Sequence, residues 1–179
     1  MPGLAGAIGV LFAFLAVVPE LHAWPRSRPS RQAGTTSIEG LVIRVADGDT
    51  LTVLDDAQQT HRVRLLGIDA PETAQPYGKV AKQVLLDRVL RKRVKILAQS
   101  QDQYGRTVGK VLLNGADISL EMVREGLAWH YKHYAGDQFP GDAARYAQAE
   151  HEARNARAGL WAFADPVEPW LWRRSHRHP

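Results

Sequence analysis

The stretch RLLGIDAPET, residues 64–73, runs as an apolar strand and then stops on a carboxylate. Asp69 closes the run, and Glu72 follows across Pro71. Upstream, VADGDTLT (residues 45–52) sets Gly48 between Asp47 and Asp49 inside another β-branched, apolar run. Alone, Asp-Gly and Asp-Ala-Pro-Glu are ordinary turn signals. Together they put several carboxylates at the ends of neighbouring strands. Clustered carboxylates repel one another unless a cation neutralises them.

Working outward, residues 40–45, 51–54 and 61–68 read as three strands joined by short polar turns. In the third, Val63 and Leu65 share one side while Arg62 and Arg64 share the other. Residues 79–90 read as a helix, with Ala81, Val84, Leu85 and Val89 as its apolar stripe. Two further strands are expected at residues 93–98 and 107–113. Asp117 is expected to cap a short helix that Gly126 stops, and Asp142 to cap a last helix closed by Gly159. Five strands with a helix after the third make a β-rich α+β domain. Their order is that of a five-stranded OB-fold barrel capped by helices.

The 179-residue chain is 45% hydrophobic and 23% charged, enough for one well-formed core. Its formal charge of +4 suits a polyanionic partner without requiring one. It has no cysteine, which excludes a disulfide framework and a Cys-ligated zinc site. Residues 3–18 form an uncharged apolar run followed by Pro19 and a small residue at Ala23. This pattern predicts a signal peptide over residues 1–23 and an exported protein, periplasmic or secreted, with an uncleaved membrane anchor as the alternative. Residues 24–36 read as a disordered basic linker, residues 37–163 as the domain, and residues 164–179 as a Pro/Trp/Arg-rich tail packed irregularly.

Oxygen donors suit a hard cation, Ca²⁺ with many ligands or Mg²⁺ with retained water. Arg64 stands five residues before Asp69, and Arg106 sits in a Tyr-Gly-Arg turn. Planar guanidinium groups match phosphate oxygens in pairs. A metal, two arginines and a carboxylate base suffice for attack of water on a phosphodiester.

The ordered motifs ADGDT, RLLGIDAPET and DQYGRTVGKVLLNG resemble the thermonuclease family typified by staphylococcal nuclease. The likeness spans about residues 39–161. It implies an OB-fold barrel with three helices, and Ca²⁺-dependent hydrolysis of DNA and RNA to 3′-phosphate and 5′-hydroxyl ends. Carried over by position, it makes Asp49 and Asp69 metal ligands, with the backbone carbonyl of Ala70 as a third. The well-studied member of the family has threonine at the position of Ala70, but a backbone ligand survives that change. It makes Arg64 and Arg106 the catalytic arginines and Glu72 the catalytic glutamate. Mg²⁺ and Mn²⁺ remain open beside Ca²⁺.

Tyr104 and Tyr134 align with family tyrosines that flank the phosphate site, and Lys132 stands where another tyrosine is expected. These three are the candidate substrate contacts, through base stacking and charge. Single-stranded nucleic acid is the preferred partner, and a monomer with no small-molecule cofactor is expected. Asp47 reads as a turn residue beside the metal. His130 and His133 lack a third ligand spaced to make a zinc site. The positive run Arg88, Arg91, Lys92, Arg93 and Lys95 reads as a solvated helix end, and Arg173, Arg174 and Arg177 as non-specific affinity for polyanions. The rival reading is an OB-fold that binds single strands without cutting them. Such a binder has no use for Glu72.

Overall fold

A computed structural model describes residues 36–176. The expected signal peptide and residues 24–35 of the expected linker lie outside the described residues. Strand β1 (Thr36–Val45) turns into β2 (Thr50–Asp55), and β3 (Thr60–Leu65) follows as a meander. Next come β4 (Ile68–Asp69), α1 (Gly78–Val89), β5 (Arg93–Gln101) and β6 (Thr107–Leu113). The chain continues through β7 (Ala116–Asp117), α2 (Ile118–Arg124), β8 (Trp129–His130), α3 (Asp142–Asn155) and α4 (Pro169–Ser175).

The strands run in the order β3-β2-β1-β5-β6, and a parallel pairing of β3 with β6 closes the ring into a five-stranded barrel. β1 serves two neighbours, pairing with β5 from Thr36 to Leu41 and with β2 from Gly40 to Val45. The register shifts between Val42 and Arg44, a bulge of the kind that bends a strand from one partner to the next. Val42, Leu51, Val53, Val63, Ile96 and Val111 are wholly buried in the core. Ala81, Leu85 and Val89 of α1 and Ile118, Met122 and Val123 of α2 join the same cluster. Burying each leucine-sized side chain contributes about 2 kcal/mol.

Three expectations need correction. The third strand ends at Leu65, not at residue 68. Gly67 turns the chain with φ +79°, and a Cβ there would lie 1.8 Å from the Gln138 side-chain nitrogen. This kink re-aims the chain, so that Asp69 pairs with Trp129 of β8 instead of continuing the barrel. Asp142 is not a cap. Gly141 takes the cap position in a left-handed conformation, and Asp142 becomes the first helical residue, paired with Lys110 and Arg145. The tail is not irregular throughout, because residues 169–175 form α4. Pro169 stands at its first position, where a missing N–H costs nothing. Asp117, by contrast, caps α2 as expected, accepting from Leu120 N–H at 3.2 Å.

Candidate active site

The ADGDT loop is the first wall of the site. Ala46 N–H donates to the Thr50 carbonyl at 2.8 Å, which folds the loop tightly. A Cβ on Gly48 would lie 2.7 Å from the Ala70 Cβ and 2.9 Å from the Ala81 Cβ, so only glycine lets the loop press on Ala70 and α1. Asp49 is 7% exposed and fully used. Its Oδ1 accepts from the Thr50 hydroxyl at 3.0 Å, and its Oδ2 from Ala70 N–H at 2.9 Å. Its carbonyl accepts from Leu65 N–H at 2.8 Å.

Asp69 is wholly buried at the end of β4. Arg64, projecting from β3, lies between the two aspartates. It donates to Asp69 Oδ1 at 2.7 Å and pairs with Asp49 Oδ2. Burial works against the Arg64 charge, but Asp49, Asp69 and Asp47 more than offset it and hold the proton more firmly. Burial raises Asp69 above the usual carboxylate range, despite hydrogen bonds from Arg173 and the charge of Arg64. Asp47 accepts from Asp49 N–H at 3.0 Å. Burial and then the Asp49 charge push it up to about 6.

Glu72 sits on the loop that leads into α1. Its N–H donates to the Gln75 side chain at 3.1 Å, and Gln75 N–H returns to the Glu72 carbonyl at 2.8 Å. A Cβ on Gly78 would lie 1.8 Å from the Glu72 carbonyl oxygen, so this glycine lets the helix start against the loop. Across the cleft, Arg106 Nε donates to Asp102 Oδ2 at 2.7 Å and Nη1 to the Thr50 hydroxyl at 3.2 Å. Its guanidinium lies 5.5 Å from the Tyr104 ring centre. Burial opposes the Asp102 charge, yet hydrogen bonds from Arg106 and Tyr104 hold its carboxyl below the ordinary value.

Asp49, Arg64, Asp69, Ala70, Glu72, Tyr104, Arg106 and Tyr134 line one cleft of about 900 Å³. Lys132 is not brought to it: its ammonium lies 2.6 Å from Glu150 Oε2 on α3. Tyr131 and Arg173 also line the cleft, beyond the candidate site residues. Tyr131 lines it, stacked on Trp170 with ring centres 5.2 Å apart. Arg173 of α4 donates to both oxygens of Asp69, at 3.1 and 2.8 Å, and to Glu72 Oε1 at 2.7 Å. The positive run after α1 lies elsewhere, with Arg88, Arg93 and Lys95 paired to Glu125, Asp56 and Glu39.

A sequence model of the family described as staphylococcal nuclease homologue matches residues 62–163. The chain belongs to that family. It is 36% identical to a micrococcal nuclease of Shigella flexneri, over 99% of this chain and 98% of that one. It is 40% identical to an uncharacterized endonuclease of Haemophilus influenzae, over 76% of this chain and 73% of that one. A staphylococcal-like nuclease CAN1 of Arabidopsis thaliana is 45% identical over 65% of this chain and 34% of its own length. The closed barrel agrees with the family fold, and the chain is a nuclease, a phosphodiester hydrolase acting on nucleic acid. The rival of a non-cutting binder falls with that assignment.

The donor set can be tested against a metal. Among the described residues, no group of three or more acidic or histidine side chains is arranged to hold one. Two aspartates with adjacent backbone fit a hard cation that fills its remaining positions with carbonyl oxygen, water and substrate. The Arg173 guanidinium, resting on Asp69 and Glu72, marks the place as one that takes positive charge.

Proposed function

We propose that the protein is a Ca²⁺-dependent, sugar-non-specific nuclease that cuts DNA and RNA to 3′-phosphate and 5′-hydroxyl ends. The observation that carries this reading is the convergence of Asp49, Asp69, Glu72, Arg64 and Arg106 on one cleft. Asp49, Asp69 and the Ala70 carbonyl would hold the metal. When bound, the ion supplies positive charge to a phosphate oxygen and makes nearby water more acidic.

The chain's own residues do the rest. Glu72, partly exposed at the cleft wall, accepts a proton from the attacking water. That water forms the new bond to phosphorus as the bond to the 5′-oxygen breaks, and solvent protonates the departing oxygen. Arg64 and Arg106 donate to the phosphoryl oxygens as charge builds on them. Arg64 is held rigid by its two aspartates, so it needs little reorganisation. Tyr104 and Tyr134 are 67% and 48% exposed, open platforms for unstacked bases, which favours single strands and sets no sequence preference. The apolar run of residues 3–18 supports export of the enzyme.

The test uses the purified protein on single-stranded DNA and RNA with Ca²⁺, Mg²⁺, Mn²⁺ or chelator. Products are then labelled with polynucleotide kinase, with and without prior phosphatase. Cleavage in Ca²⁺ giving ends that label without phosphatase is expected. Undiminished cleavage in chelator, or ends that label only after phosphatase, would overturn the reading.

A further inference from the structure

Arg173 contacts two of the carboxylates assigned to the site, Asp69 and Glu72, and it comes from outside the barrel. The chain delivers it in a defined way. Gln75, which also accepts from the Glu72 backbone, donates its side-chain amide to the Val167 carbonyl at 2.5 Å. Pro169 is buried, and Trp170 stacks on Tyr131 and meets Trp129 edge-on with ring centres 5.8 Å apart. These contacts hold the start of α4, one turn before Arg173. The guanidinium then reaches the cleft and uses both oxygens of Asp69 and one of Glu72.

A metal ion on Asp69 needs oxygens that Arg173 already engages, and it would meet the guanidinium's like charge at close range. At Glu72 the guanidinium covers Oε1, one of the two oxygens from which a general base could act. The metal and the arginine therefore compete for the same carboxylate. The Arg173 side chain is 39% exposed, whereas Asp69 is fully buried, so the arginine has a path to solvent and the aspartate does not. We infer that Arg173 is a tethered competitor of the metal, and that α4 thereby sets the metal affinity of the active site. This inference rests on the reading of Asp49 and Asp69 as metal ligands. By linkage, whatever factor Arg173 takes from metal affinity, the metal takes from the Arg173 contact. Free of Asp69, the guanidinium remains at the cleft as a further donor for substrate phosphate.

The experiment is calorimetric titration of the full chain with Ca²⁺ alone, without substrate. The proteins are wild type, Arg173→Ala, Arg173→Gln, Arg174→Ala and Asp69→Asn, each checked for a cooperative melt in chelator. Arg174→Ala removes the same charge from the neighbouring residue, which makes none of the Asp69 or Glu72 contacts. Removing Arg173 by either substitution is expected to tighten Ca²⁺ binding about tenfold, the worth of one charge-assisted hydrogen bond. Arg174→Ala is expected to leave it within about twofold, because exposed charge is screened. Equal or weaker binding without Arg173, with Asp69→Asn still abolishing it, overturns the competitor and leaves the metal site standing. Binding that survives in Asp69→Asn overturns both. Two Arg173 variants keep the result readable if one of them folds poorly.

Discussion

The backbone N–H of Ala70 donates to Asp49 Oδ2 across 2.9 Å, joining two loops that lie 21 residues apart in sequence. Both partners are buried, and the Asp49 carboxylate also takes the Thr50 hydroxyl. Asp49 is therefore a structural hinge pin as well as a candidate metal ligand. Asp49→Ala is expected to lose about 1–3 kcal/mol of stability, because it leaves the buried Ala70 N–H without an acceptor, while Arg64 keeps Asp69 as its partner. Asp49→Asn retains a side-chain carbonyl oxygen and is expected to lose less than half of that while still losing activity. Urea unfolding in chelator measures the first effect and cleavage in Ca²⁺ the second. Equal stability of the alanine variant and wild type would show that this hydrogen bond is not holding the loops.

The two arginines of the site are expected to fail differently. Arg106 is partly exposed and its contacts lie on the cleft rim, so Arg106→Ala should fold normally. Its cleavage rate should fall about a hundredfold or more, as for a lost transition-state donor. Arg64 is only 13% exposed, enclosed between Asp49 and Asp69. Removing it leaves the buried Asp49 carboxylate without its cation while Asp69 keeps Arg173, and loss of one partner of a buried pair costs about 3–5 kcal/mol. Arg64→Ala should thus lose both activity and stability in chelator, with Ca²⁺ restoring part of the melting temperature. Melting curves with and without Ca²⁺ separate the two arginines, and identical stability losses would sink the distinction.

Much of this geometry was legible in the sequence because it is local. Asp49 and Asp69 sit at strand ends that alternation and turn chemistry mark, and Val63 and Leu65 face inward as their spacing requires. The kink at Gly67 is not legible, since an apolar run through Leu66 and Ile68 reads as one continuous strand. Only a glycine at positive φ against Gln138 reveals the turn. The sequence assigns Arg173 only to a tail of general affinity, because nothing local ties residue 173 to residue 69. One signal was present. Trp170 and Arg173 stand three apart in PWLWRRS, on one face of a helix that opens with proline. Alignment with a family tyrosine points Lys132 toward substrate, whereas Glu150 on α3, eighteen residues away, takes its charge.

Glu72→Gln isolates the proton transfer. The side chain is partly exposed, its ion pair is with Arg173, to which glutamine still offers an amide oxygen, and the loop itself is tied through Gln75. The variant is therefore expected to melt within about 1 kcal/mol of wild type, the range of a surface change. Its rate should fall about a hundredfold or more at saturating substrate with little change in KM, as when a general base is removed. A rise in KM at unchanged kcat would instead make Glu72 a binding residue.

His130 gives the fold a pH dependence of its own. Its ring is buried, contacts Gln138 at 3.1 Å and meets Tyr146 edge-on. Burial holds its pKa below the ordinary 6.5, with Lys132 acting in the same direction, while the Gln138 hydrogen bond and the Glu150 charge pull the other way. A histidine with a lowered folded pKa binds its proton more readily when unfolded. Its contribution is fully present above pH 6.5 and is lost as pH falls through the folded value. Over that window the stability of wild type should drop with a slope approaching about 1.4 kcal/mol per pH unit. His130→Gln removes the titrating group while leaving the acidic residues that titrate lower, so the difference between the two proteins isolates this term. Urea unfolding at pH 7.5, 6.5, 5.5 and 5.0 in chelator reads it. The gap between wild type and variant is expected to shift in favour of the variant as pH falls, and parallel curves would show that His130 is not the group responsible.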